Sequence, residues 1–67
     1  MHTQREEQVL ALIAQGKSNR EIAAMLGISP ATSSRHVANL LRKLRLANRT
    51  QLAIHWLAHI QTAQPTA

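Results

Sequence analysis

The chain of 67 residues contains no cysteine, no phenylalanine and no tyrosine, and Trp56 is its single tryptophan. Without cysteine there is neither a disulfide nor a thiolate zinc site, so a chain this small must hold together by packing alone. Alanine and leucine dominate the apolar residues, which suits closely apposed helices. Acids are scarce: Glu6, Glu7 and Glu21 are the only carboxylates. Two are adjacent at an expected helix start, where capping and the helix dipole account for them. No carboxylate pair, no Ser/His/Asp set and no glycine-rich phosphate loop is present, so no enzyme and no cofactor are expected. No apolar run is long enough to span a bilayer and no secretory leader pattern stands at the start. The expected location is therefore the cytoplasm, with no membrane partner.

What the chain has instead is positive charge. Its net charge is +5 and its isoelectric point is about 11.7. The acids lie in the first third, whereas Arg35, Arg42, Lys43, Arg45 and Arg49 follow with no acid among them. A solvated basic face would show such a run; in a small domain it also points to a polyanionic partner.

Caps and periodicity predict four helices and an all-α fold. Thr3 with Glu6 forms a capping box that opens the first, in which Val9, Leu12, Ile13 and Gly16 fall on one face. Gly16 supplies a left-handed end. Ser18 with Glu21 repeats the box for the second helix, with Ile22, Met25 and Leu26 inward and Gly27 closing it. Ser29 and Pro30 open the third as N-cap and first-turn proline. Its inner stripe is Val37, Leu40, Leu41 and Leu44; its outer side carries Thr32, Arg35, His36, Asn39, Arg42 and Lys43. Asn48 with Gln51 is expected to cap the fourth helix, whose inward residues are Leu52, Ala53, Trp56, Leu57 and Ile60. Trp56 is expected to close this helix against the first. A tail after about residue 62, with Pro65, is expected to fray. The whole chain, 1–67, reads as one domain.

The second and third helices read as a helix-turn-helix. Ala23 is small where the two cross, Gly27 permits the positive φ of a three-residue turn, and Ser33 occupies an inward slot. That motif places its second helix, about residues 30–44 here, in the major groove of DNA. Arg35 suits both bidentate contact to guanine and a phosphate contact. Thr32, His36, Asn39, Arg42 and Lys43 can reach phosphates, as can N–H groups at the helix starts. Ser33, inside the stripe, needs a partner for its hydroxyl, and a bond back to the Ser29 carbonyl is expected. On the fourth helix Gln51, Ile54 and Ala58 lie off the inward stripe and form a candidate face for self-association. His55 and His59 have the four-residue spacing of metal ligands on a helix, yet no third ligand is apparent, so no metal site is expected.

The series Thr3, Arg5, Glu6, Val9, Leu10, Ile13, Ala14, Gly16, Ser18, Asn19, Glu21, Ile22, Ala23, Leu26, Ile28, Ser29, Thr32, His36, Asn39, Lys43, Leu44, Asn48, Arg49 resembles the LuxR/GerE-type DNA-binding domain. That domain forms the C-terminus of bacterial quorum-sensing regulators and response regulators. The resemblance covers Thr3 to about Leu57. It implies a four-helix domain that binds double-stranded DNA sequence-specifically in transcription regulation. It also implies a homodimer through helix four on a roughly palindromic site, weak without DNA, with RNA polymerase as a further partner. Base edges would be met from Ser34, Arg35 and Ala38, and phosphates from Thr32, His36, Asn39 and Lys43 with help near Ser18 and Asn19.

This chain departs from the pattern in places. Ser33 replaces a usual valine, Ser34 and Ala38 are small where basic residues are frequent, and His2 replaces a common leucine. Arg45 stands at a common glycine, which argues against a left-handed cap there. Three other readings compete: a sigma-factor-like promoter-reading region, a helix-turn-helix module for protein docking or dimerisation without specific DNA binding, and a zinc enzyme using His55 and His59.

Overall fold

The computed structural model describes residues 3–63, and their side chains through residue 59. It contains α1 (Gln4–Ala14), α2 (Asn19–Leu26), α3 (Pro30–Leu44) and α4 (Arg49–Ala63). Each of the first three starts is written in the sequence. Thr3 Oγ1 accepts the Glu6 N–H at 3.1 Å, and Glu6 Oε1 accepts the Thr3 N–H at 2.9 Å. Ser18 and Glu21 repeat the exchange at 3.1 and 2.8 Å. Ser29 caps α3 by accepting the Thr32 N–H at 3.1 Å, with proline in the first turn. These bonds satisfy amide groups that a helix start otherwise leaves unpaired.

The start of α4 differs in one detail. Asn48 caps it by accepting the Gln51 N–H at 3.0 Å, but Gln51 reaches back to the N–H of Ala47, at 2.6 Å, and not to that of Asn48.

α1 packs chiefly on α4 and α2 on α3, while α1 also touches both middle helices. The core is Val9, Leu10, Leu12, Ile13, Ile22, Val37, Leu40 and Leu52, with Leu26, Leu41, Leu44, Leu46, Ala53 and Trp56 packed against it. Leu10, outside the expected stripe of α1, is fully buried. Gly16 lies past the helix in the left-handed region, as expected, and is exposed.

Two residues expected inside are outside. Met25 is 58% and Leu57 51% exposed. At about 100° per residue, the buried arc of α2 runs from Ile22 through Leu26 to Ala23, and Met25 falls beyond Ile22 on the far side. On α4 the buried arc centres on Leu52, Trp56 and Ala53, and Leu57 falls past Ala53 beside Ile54. Ile60, His2 and the tail beyond Ala63 lie outside the residues whose side chains are described.

Candidate nucleic-acid interface

α2 and α3 are joined by three residues, 27–29. Gly27 takes φ +69°, which lets the chain leave α2 in the left-handed region, and the following Ile28 N–H closes on the Ala23 carbonyl at 3.0 Å. Ala23 is 2% exposed, so the crossing has no room for a longer side chain. This turn sets α3 across the domain with one long face to solvent.

That face divides by angle. At about 100° per residue Ser34, Ala38, Arg42 and Arg35 share one arc, and Asn39, Thr32, Lys43 and His36 share the next. All are exposed except His36, which is half-buried. The three candidate base-reading residues, Ser34, Arg35 and Ala38, thus stand together on the crest of α3, with Arg42 two turns beyond Arg35 in the same line. The opposite side holds Val37 and Leu40 in the core. Each backbone N–H in the first turn of α3 that Ser29 serves is also tied down, since the Ser33 N–H donates to the Ser29 carbonyl at 3.0 Å. The expectation for Ser33 is corrected by its hydroxyl: the side chain is fully buried and the hydroxyl has no partner among the described residues, so it does not reach the Ser29 carbonyl, which accepts the backbone N–H.

Several phosphate candidates carry prior engagements. Thr32 shares a 2.8 Å hydroxyl–hydroxyl bond with Ser29. Lys43 donates to Glu6 at 2.8 Å, an ion pair that ties the C-terminal half of α3 to the capping box of α1. Ser18 is occupied in the α2 box, where its backbone N–H, then its side chain, hold the Glu21 carboxyl below its ordinary value. Asn19 lies at the centre of a network absent from the sequence reading. Arg49, at the start of α4, donates to Asn19 Oδ1 at 2.6 Å and to the Lys17 carbonyl. Asn19 Nδ2 in turn donates to Ser34 Oγ at 3.2 Å. Arg49, counted in the sequence as one more member of a basic run, is half-buried and faces the domain. The only signal for this was that Arg49 follows the α4 cap directly, where an inward side chain meets the α2 start.

Arg45 ends α3 with φ 58° and ψ 44°, a left-handed cap formed without glycine. The doubt that arginine at this position cast on the cap is thereby removed: the Leu46 N–H still reaches the Leu41 carbonyl at 2.9 Å. On α4, His55 and His59 face each other as near-parallel rings with centroids 6.3 Å apart, and Trp56 lies 5.8 Å from His59. No group of three or more His, Cys, Asp or Glu comes together for a metal among the described residues. Ile54 is 61% exposed, and with Leu57 and Ala58 it forms a continuous apolar arc. Among the described residues no helix is long and apolar enough to cross a membrane.

A three-residue turn between two helices, a buried alanine at their crossing and a polar, basic, exposed second helix define a helix-turn-helix DNA-binding domain. Residues 2–56 match the family described as bacterial regulatory proteins of the luxR type, and the chain belongs to that family. It is 60% identical over 52 residues to the uncharacterized transcriptional regulatory protein YhcZ of Bacillus subtilis, covering 78% of this chain and 24% of that protein. It is 46% identical over 59 residues to the response regulator protein VraR of Staphylococcus aureus, covering 88% of this chain and 28% of that protein, with the same figures for VraR of Staphylococcus epidermidis. The chain thus spans about a quarter of the length of the curated relatives it matches. Its family supports a role in DNA-binding transcription regulation.

Proposed function

We propose that this chain reads double-stranded DNA sequence-specifically, with α3 in the major groove and two copies joined through α4 on a pseudo-palindromic site. The crest of α3 carries the reading: Ser34, Arg35 and Ala38 are exposed side by side, with no carboxylate on that helix. Arg35 is the one long donor among them and takes the guanine edge. Asn39, Thr32, Lys43 and His36, on the arc beside the crest, meet phosphates, as does Arg42 at the C-terminal end of the crest, and Ser18 and Asn19 approach the same backbone from the α2 start. The dimer rests on Ile54, Leu57 and Ala58, with Gln51 at the edge, because a single recognition helix spans few base pairs and a two-fold pair doubles the site. Such a domain works on the chromosome in the cytoplasm, and RNA polymerase is the machinery its binding acts upon.

Selection from a random duplex library tests this. An enriched inverted repeat is the expected result, and Arg35→Ala should cost about 1–3 kcal/mol at one base pair per half-site and relax preference there. Arg42→Ala should weaken all duplexes alike and reduce the salt dependence of binding. A single enriched half-site would remove the dimer from the proposal. No enrichment with any duplex would leave a docking module in its place.

A further inference from the structure

We infer that Arg49 and Asn19 set the hydrogen-bonding polarity of Ser34, so that a residue of α4 governs base reading without touching DNA. The inference rests on the placement of α3 in the major groove proposed above. Its basis is the relay through three helices: Arg49 to Asn19 Oδ1 at 2.6 Å, and Asn19 Nδ2 to Ser34 Oγ at 3.2 Å. A guanidinium has donors only. Arg49 is further fixed by its bond to the Lys17 carbonyl, so the oxygen end of the Asn19 carboxamide must face it. The NH2 end then faces Ser34 and can only donate. Ser34 therefore accepts, and its own O–H proton goes to no acceptor among the described residues. Accepting one hydrogen bond also strengthens a hydroxyl as a donor. Ser34 is exposed on the crest of α3, so that proton is presented outward. In the major groove it matches acceptors, which are purine N7, guanine O6 and thymine O4, and it does not match the cytosine N4 amino group. Arg49 and Asn19 are positioning residues in this scheme, and Ser34 is the contact.

Asn19→Asp tests the relay because it reverses one step and keeps the shape. A carboxylate accepts from Arg49 as before, but it must also accept from Ser34, and the hydroxyl proton is then drawn inward. An acid in the first turn of α2 suits the helix dipole, so folding should survive; thermal melting checks this. The measurement is selection from a random duplex library with wild type, Asn19→Asp, Ser34→Ala and the double variant. Wild type is expected to prefer acceptor-bearing bases at the Ser34 position by about three- to tenfold, the worth of one net hydrogen bond. Asn19→Asp should move that preference towards cytosine at this position alone, apart from a uniform loss of affinity from its added charge. In the Ser34→Ala background the shift should vanish while the uniform loss persists. Arg49→Lys, which keeps a donor, should retain the wild-type preference, and Arg49→Met should flatten it. The relay is overturned if Asn19→Asp shifts preference equally with and without the Ser34 hydroxyl, or leaves a Ser34-dependent preference unchanged. Absence of any base preference in wild type would overturn the major-groove reading itself and the relay with it.

Discussion

Helices α3 and α4 are equal in length, fifteen residues each, and opposite in patterning. In α3 the large apolar residues lie towards the core and the other side is polar or small; the helix is finished for a wet, charged partner. In α4 apolar residues occupy two sides. Leu52, Ala53 and Trp56 close the core, while Ile54 and Leu57 stay 61% and 51% exposed. Scattered exposed apolar residues are ordinary on a surface, but these two are adjacent in angle with Ala58 beside them. The contrast teaches that one small core can carry two external surfaces of different chemistry, and that the pattern left over after the core is satisfied indicates which partner each suits.

The largest effects should separate the two sides of α4. Leu52 is fully buried, and Leu52→Ala should cost about 2–5 kcal/mol, enough to unfold most of a domain this small. Ile54→Ser should leave the melting temperature of dilute protein nearly unchanged and weaken self-association on DNA. Equal loss of melting temperature in both variants would break the distinction between an inner and an outer side of α4.

A smaller effect tests the inner side of α3, which has one flaw. The Ser33 hydroxyl is buried and has no partner among the described residues, and such a group destabilises by its lost hydration. Ser33→Val should raise stability by about 1 kcal/mol, which in a domain of this size reads as a rise of about 4–8 °C in melting temperature. A fall of similar size would mean that the slot is too tight for a branched side chain. Smaller again is the effect at the junction towards α4. Arg45 sits in the left-handed region at φ 58°, where a Cβ is crowded, and Arg45→Gly should stabilise by about 0.5–1 kcal/mol after the extra backbone entropy of glycine is counted. No gain in thermal unfolding would show that the arginine contributes contacts equal to the strain.

The helix starts were legible because caps are local: Thr3 to Glu6, Ser18 to Glu21 and Ser29 to Thr32 each span three residues, and the chemistry of one turn decides them. The outer side of α3 was legible through its inner stripe, which fixes the rotation of Thr32, Arg35, His36, Asn39, Arg42 and Lys43, whereas Ser34 and Ala38 were named only by the family resemblance. The misplaced residues lie at arc edges. Met25 and Leu57 are apolar and near the stripe, and only the neighbouring helix decides whether an edge is covered. What the sequence hid is long-range. Lys43 meets Glu6 across 37 positions and Arg49 meets Asn19 across 30, and no periodicity links such pairs. Arg45 was hidden for a different reason: the C-terminal geometry of α3 overrides the preference of its own residue, a tertiary decision that local propensity does not contain.

The smallest expected effect distinguishes the start of α2 from the start of α4. The capping box of α2 includes a titratable group, Glu21; the cap of α4 is Asn48 with Gln51 and carries no charge. The Glu21 carboxyl is held below its ordinary value of 4.5, first by the Ser18 backbone N–H, then by the Ser18 side chain, with Lys17 adding a little. A depressed carboxylate contributes stability that is fully present above its unfolded value and is lost as pH falls through the lower folded one. Acidification below the ordinary carboxylate range should therefore loosen the α2 start before the α4 start. Amide exchange or chemical shifts should report it: the Glu21 and Ser18 N–H groups respond to acid, and the Gln51 N–H does not. Glu21→Gln keeps an acceptor for the Ser18 N–H and should remove that response while leaving neutral-pH packing intact. If the α2 amides still respond to acid in Glu21→Gln, the titrating group lies outside the α2 box, and the two starts would then differ by their neighbours and not by their own caps.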